Sequence, residues 1–298
     1  RGLLEDESTL VEHWKSKIIT AHEFSKEVSN SGVCPYELNK LLLKDADVVI
    51  VPYSYIFHEY NRKNLFEWMN LDKVANPLDN VIIIIDEAHN LPDWARINAS
   101  ELLSLRSVEL AKREAEKYNR DCIPFLDNVG KVISFLSKKN IPKGEEEYNL
   151  PSDIAYSDLE QDTFESLMMS NEFSNTTLVG LRNMCKNLSI TGEFIRKQCL
   201  SNGKRPRSYL GSVADFLESW LLPPEDHTIR LVGKNPVRIE KVCLDPKVLT
   251  GFLNSTAGVI CMSGTLKPLD MYGDLIGLKS VKLIGVDSTF PSKNKKVV

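Results

Sequence analysis

The chain has 298 residues, 42% apolar and 26% charged, so it can bury a sizeable core and lacks the composition of a disordered protein. Lys plus Arg number 37 against 41 Asp plus Glu, a net charge of −4 that excludes a uniformly basic nucleic-acid coat and leaves only local basic patches. The longest apolar run of note, Val81 to Ile85, is far short of the roughly 20 residues a membrane-crossing helix needs, so no membrane partner is expected.

Thr9-x-x-Glu12 and Thr20-x-x-Glu23 each fit a capping box, in which side chains satisfy the first free backbone donors of a helix. They predict two helices within residues 1 to 30, with Leu10, Trp14, Ile18 and Ile19 as the apolar stripe. A short helix is predicted from Cys34 to Leu43, and Asp47 to Val51 reads as a buried strand ending at Pro52-Tyr-Ser-Tyr55. A polar and aromatic helix over Ile56 to Leu71 leads through a turn containing Pro77, Asp79 and Asn80 into a second strand, Val81 to Ile85. Two buried strands joined by a helix predict a βαβ unit of a parallel sheet. After Pro92 the pattern becomes helix-like, beginning with Val108 to Tyr118 and Phe125 to Lys138. Thr228 to Val232 and Val237 to Val242 are expected to pair as a hairpin around Gly233, Asn235 and Pro236. Gly258 to Met262 then returns to the buried-strand pattern. The expected fold is α/β, a parallel sheet interrupted by a large, mainly helical insertion. Charge divides within that insertion: nine acids and no Lys or Arg between Gly144 and Leu181, then seven basic residues against the single acid Glu193 from Arg182 to Arg207.

The strongest chemical signal is the apolar strand that delivers Asp86-Glu-Ala-His89 at its carboxyl end, where ligands of open α/β sheets sit. A carboxylate fixed there suits nucleotide-bound magnesium, held through water, and Asp86 fits that role. Glu87 can polarise an attacking water as general base, and His89 can sense the nucleotide by hydrogen bonding across the cleft. A zinc site is disfavoured, because His89 lacks the second histidine of a His-Glu-x-x-His pattern. The second signal is Met262-Ser-Gly-Thr-Leu266, where the hydroxyls of Ser263 and Thr265 flank a flexible Gly264 and can exchange hydrogen bonds with His89.

The order Cys34-Pro35-Tyr36, Val48 to Tyr55, Asp86-Glu-Ala-His-Asn90 and Met262-Ser-Gly-Thr-Leu266 with Pro268 resembles the XPD-type iron-sulfur DNA helicases of superfamily 2, most closely the archaeal ones. The resemblance implies four segments: residues 1–44 as the rear of an iron-sulfur domain, 45–96 and 254–298 as two parts of a RecA-like motor domain, and 97–253 as the arch domain. It implies an ATP-dependent 5′-to-3′ helicase acting on single-stranded or forked DNA, often in repair. Asp86 and Glu87 then match the magnesium and water-activating acids, His89 the coupling residue, and Ser263, Gly264 and Thr265 the motif linking hydrolysis to DNA movement. Cys34 matches the last of four ligands of a 4Fe-4S cluster. The sequence begins at Arg1 and contains no Gly-x-x-x-x-Gly-Lys-Ser/Thr, so a central fragment is expected, unable to hydrolyse ATP or hold the cluster alone. Six cysteines without a Cys-x-x-Cys pair suit reduced thiols, and an archaeal-like, nucleoid-associated cytoplasmic location is expected for a monomer.

Tyr36 and Lys40 share one helix face, where a ring can stack on a base and an ammonium can meet phosphate. Tyr53, Tyr55 and Arg62 are further candidates, though aromatic residues there are equally compatible with a core. Lys204, Arg205 and Arg207 lie in a Gly203 and Pro206 loop that suits either DNA contact or a solvated surface. The acidic stretch 145 to 172 reads as a solvated or partner-facing surface. Two alternatives stay open at this stage: a noncatalytic arch module binding DNA or a protein such as a repair factor, and an RNA-directed motor, the latter disfavoured by Cys34-Pro-Tyr and the long insertion.

Overall fold

The computed structural model describes residues 7–150, 163–223 and 225–286. In chain order the elements are α1 (Glu7–Lys15), α2 (Ala21–Asn30), α3 (Pro35–Leu42), α4 (Tyr53–Phe57), α5 (Glu59–Trp68), β1 (Ile82–Ile85), α6 (Leu91–Ala99), β2 (Glu101–Ser104), α7 (Leu105–Tyr118), α8 (Ile123–Asn140), β3 (Glu147–Leu150), α9 (Phe164–Met169), α10 (Leu178–Ser201), α11 (Tyr209–Trp220), β4 (Thr228–Lys234), β5 (Val237–Cys243), α12 (Lys247–Thr250), β6 (Gly258–Cys261) and α13 (Leu269–Ile276). The chain divides into two compact units, Arg1–Pro92 with Lys247–Val298, and Asp93–Pro246. Among the described residues no helix is long and apolar enough to cross a membrane.

In the first unit, Trp14, Val28 and Leu38 bury a small core between α1, α2 and α3. Thr20 and Glu23 close the expected capping box, the Thr20 hydroxyl accepting from the Glu23 amide at 3.3 Å and the Glu23 carboxylate accepting from the Thr20 amide at 3.0 Å. The Thr20 hydroxyl also donates to the Glu23 carboxylate at 2.6 Å, and that bond, with the one from the Thr20 amide, lowers the Glu23 pKa. Thr9 is no cap, because α1 already begins at Glu7, and Ile18 falls beyond its end and is fully exposed rather than part of the stripe. The predicted helix over 56 to 71 is two helices, since His58 takes an extended backbone (φ −79°, ψ 119°) between α4 and α5.

The heart of this unit is a parallel pair, β1 on β6, with Ile82 opposite Gly258 and Ile85 opposite Cys261. Ile83 and Ile85 point into the core, while Ile82 and Ile84 are exposed. The predicted strand at 47–51 does not form. Its backbone has no ladder partner among the described residues, and Val48 and Ile50 are 80% and 96% exposed, so β-branched pattern alone did not supply the neighbour a strand needs.

The second unit is mainly helical, as expected, and two strands that the sequence reading did not include, β2 and β3, flank the predicted hairpin. β2, β5, β4 and β3 form a four-stranded antiparallel sheet in that order, with the predicted hairpin at its centre and Asn235-Pro236 in the hairpin turn. Leu126, Ile133, Leu188, Leu217 and Trp220 are among the side chains that fill its core. A Cβ on Gly192 would lie 2.4 Å from the Gly211 Cα, so α10 and α11 meet backbone to backbone at a place only glycine allows.

The acidic stretch is not wholly a solvated surface, because Glu165 is buried. Its carboxylate accepts from Arg230 at 3.0 Å, and the same guanidinium donates to the carbonyls of Trp220 and Leu222 and lies 4.7 Å from the Trp220 ring centroid. Glu147 likewise pairs with Arg238. Burial raises the Glu165 pKa, against the opposing pull of Arg230. Arg230→Leu leaves that carboxylate buried without its cation and should lower unfolding stability by about 3–5 kcal/mol, read from denaturant midpoints; a loss under about 1 kcal/mol would show the pair to be dispensable. A second expectation concerns thiols. Cys34 is exposed, whereas burial, followed by Glu218, pushes Cys185 up to about 12. Maleimide at neutral pH should therefore label Cys34 in the folded chain and Cys185 only after unfolding.

Candidate functional site

β1 ends at Ile85, and the next residues leave the ladder in a turn that β6 supports. Met262 N–H donates to the Ile85 carbonyl at 3.0 Å, and Ala88 N–H donates to the Met262 carbonyl at 3.1 Å. Between them Glu87 adopts a left-handed backbone (φ 48°, ψ 43°), uncommon for a residue with a side chain. The Asp86 carboxylate accepts from the Glu87 amide at 2.9 Å, closing a local turn at the exposed strand tip.

This geometry brings four of the predicted site residues together. Ser263 Oγ donates to Glu87 Oε2 at 3.0 Å and lies 2.7 Å from His89 Nδ1, which is itself 3.1 Å from Glu87 Oε2. Thr265 donates its amide to Ser263 Oγ at 3.1 Å, with its hydroxyl 3.4 Å away. Gly264 has open space around it, so the Ser-Gly-Thr loop is free of side-chain crowding at its centre. The Glu87 carboxylate is exposed and His89 partly so, which leaves both accessible to a ligand at the strand ends. Chemically this is a carboxylate, an imidazole and two hydroxyls able to exchange protons and partners when charge beside them changes.

The aromatic candidates separate. Tyr53 does not face outward as a stacking ring: its hydroxyl donates to the Asp86 carbonyl at 2.6 Å and reaches the Glu87 carbonyl at 3.2 Å. Burial, then Asp86, raises its pKa. Arg62 is also turned inward, donating to the Ile56 carbonyl at 2.7 Å with its guanidinium 3.9 Å from the Phe252 ring centroid. Burial lowers its pKa. Tyr36 is 49% exposed and meets a residue that local spacing does not reveal, Trp68, edge to face at 6.1 Å. The Lys40 ammonium lies 4.5 Å from the Tyr36 ring and 4.9 Å from the Trp68 ring, held also by Glu37 at 3.0 Å. Burial raises the Tyr36 pKa, Lys40 opposes it, and Tyr55 beside it adds to the rise. In the second unit Lys204, Arg205 and Arg207 are exposed in the irregular segment between α10 and α11, while Arg196 of the same basic stretch pairs with Asp215 at 2.6 Å.

Among the described residues no group of three or more His, Cys, Asp or Glu could hold a metal ion. Magnesium carried by a nucleotide needs less, one or two carboxylates with water and phosphate completing the shell, and exposed Asp86 fits that demand. A 4Fe-4S cluster needs four thiolates in one place; Cys34 is exposed without companions of that kind among the described residues, so these residues alone do not fit it.

Residues 3–108 match the DEAD_2 family model, and residues 113–298, more than half of the chain, match the helical and beta-bridge domain model. The chain is 25% identical over 280 residues to ATP-dependent DNA helicase CHL1 of Vanderwaltozyma polyspora, an alignment covering 88% of this chain and 32% of that protein. It is 32% identical over 103 residues to regulator of telomere elongation helicase 1 homolog of Caenorhabditis briggsae, covering 35% of this chain and 10% of that protein. The chain thus spans about a third or less of the length of these relatives. A solved XPD helicase structure matches 87% of this chain and 39% of its own, with a TM-score of 0.56 at 20% identity, a likeness of fold. The chain belongs to the helical and beta-bridge domain family, with a DEAD_2 segment before that domain.

Proposed function

We propose that the chain supplies part of the nucleotide site and the arch of an ATP-dependent DNA helicase. The observation that carries this reading is the Ser263 hydroxyl bridging Glu87 and His89 across β1 and β6. The relatives named ATP-dependent DNA helicase CHL1 support the choice of ATP and DNA over an RNA substrate. The finer features come from the resemblance of the motifs: 5′-to-3′ movement on single-stranded or forked DNA, a role in repair with partner proteins at the arch, a 4Fe-4S cluster to which Cys34 contributes, and a cytoplasmic monomer. Residues 97–253 are assigned to the arch on the same ground.

Asp86, at the tip of β1, would hold magnesium carried by ATP, which would supply charge neutralisation at the phosphates. Glu87 orients the attacking water and accepts its proton. Ser263 and His89 lie against that carboxylate, so a change in its charge or position alters their hydrogen bonds and moves the loop through Gly264 and Thr265. Tyr36, Lys40 and Trp68 offer a ring, a cation and a second ring to a single strand. Lys204, Arg205 and Arg207 offer phosphate contacts.

The first test is single-stranded-DNA-stimulated ATP hydrolysis by the full-length protein beside Glu87→Gln. The variant should lose about 100-fold or more in turnover while ATP affinity changes less than about threefold. Hydrolysis that does not depend on Glu87 would remove the motor reading and leave the arch as a binding module. A second test reverses Lys204, Arg205 and Arg207 to Glu and follows DNA affinity against salt. Each lost phosphate contact should flatten the log-log slope by roughly 0.7 for a single strand; an unchanged slope takes this loop off the DNA path.

A further inference from the structure

Glu87 needs a left-handed backbone to aim its carboxylate at Ser263 and His89, and nothing in its own side chain favours that conformation. The amides that follow it are tied down, Ala88 to the Met262 carbonyl and Asn90 to the Glu87 carbonyl. The carbonyls of Asp86 and Glu87 have left the β1 ladder, and both face one donor, the Tyr53 hydroxyl, at 2.6 and 3.2 Å. A phenol has a single proton to donate, so this is one shared bond spanning the two peptide units that set the Glu87 dihedrals. The Tyr53 ring packs edge to face on Phe57 at 5.7 Å, and Phe57 on Phe252 at 5.7 Å, which fixes where the hydroxyl points.

We propose that Tyr53 is a positioning residue for the Asp86–Glu87 turn, not a nucleic-acid contact. The assignment of what the turn does rests on the helicase reading above; the assignment of what holds the turn does not. Removing the hydroxyl lets the turn relax toward right-handed backbone, which swings the Glu87 carboxylate away from Ser263 while leaving β1, β6 and the aromatic packing in place.

The test is Tyr53→Phe, which keeps the ring. Amide hydrogen exchange on the chain should show protection at residues 87–90 falling about five- to tenfold, with residues 82–85 unchanged. In the full-length protein kcat should fall by a similar factor, with KM for ATP and affinity for oligo-dT within about twofold. Placing 4-aminophenylalanine at 53, which restores a donor, should recover both. Unchanged protection at 87–90 overturns the proposal whatever the enzyme does. Weakened oligo-dT binding with kcat intact at saturating DNA also overturns it, making Tyr53 a strand contact. If the wild-type protein hydrolyses no ATP, the helicase reading falls, and the exchange measurement alone still decides whether Tyr53 holds the turn.

Discussion

The ladder between β1 and β6 is four residues long, yet it sets a histidine 2.7 Å from a serine hydroxyl 174 positions away in the chain. Side chains on a strand alternate between faces, so a slip of β1 by one residue against β6 would turn its buried side chains to the exposed face. Ile83 and Ile85 would then leave the interior, a cost of about 1.5–3 kcal/mol each, and that cost is what holds the register. The two backbone bonds beyond the strand ends, through Met262, extend the register into the turn that carries Glu87. The polar contacts of the site are short and directional, but they inherit their geometry from apolar burial one residue upstream.

This division explains what could be seen in advance. Asp86, Glu87, His89, Ser263 and Thr265 were legible because each follows an apolar run at a strand's carboxyl end, and that local pattern also fixes their placement. Tyr53 was visible as a residue but not as a role: its hydrogen bonds reach 33 and 34 positions along the chain, and no spacing rule reports them. Trp68 was missed for the same reason, as an aromatic in a polar helix whose partner, Tyr36, lies on a different element. The run at 47–51 misled in the opposite direction, since composition names a residue fit for a sheet without naming its neighbour. Strands β2 and β3 escaped notice because they are short, with Leu103 and Leu150 as their only fully buried members, so neither forms a continuous apolar run.

Within the second unit the charged residues serve two ends. Arg230 and Glu165 are spent inside, tying α9 to β4 and to the end of α11, and Arg196 with Asp215 ties α10 to α11. Lys204, Arg205 and Arg207 remain at the surface between those helices. A count of basic residues over 182 to 207 therefore overstates the charge available to a polyanion, and the loop after α10 holds the part that is exposed together.

The whole of Asp93–Pro246 lies between β1 and β6. The entropy of closing a loop grows only with the logarithm of its length, so doubling the intervening chain would cost the strand pairing about 0.6 kcal/mol. The pairing asks of the intervening residues only that they begin and end where the two strands meet. An insertion of this kind can change length, sequence and surface over evolutionary time with little penalty at the carboxylates, whereas a single substitution within 82–89 or 258–265 acts on them directly. Diversity among such chains is therefore expected to accumulate in the second unit, with the few residues at the strand ends held nearly fixed.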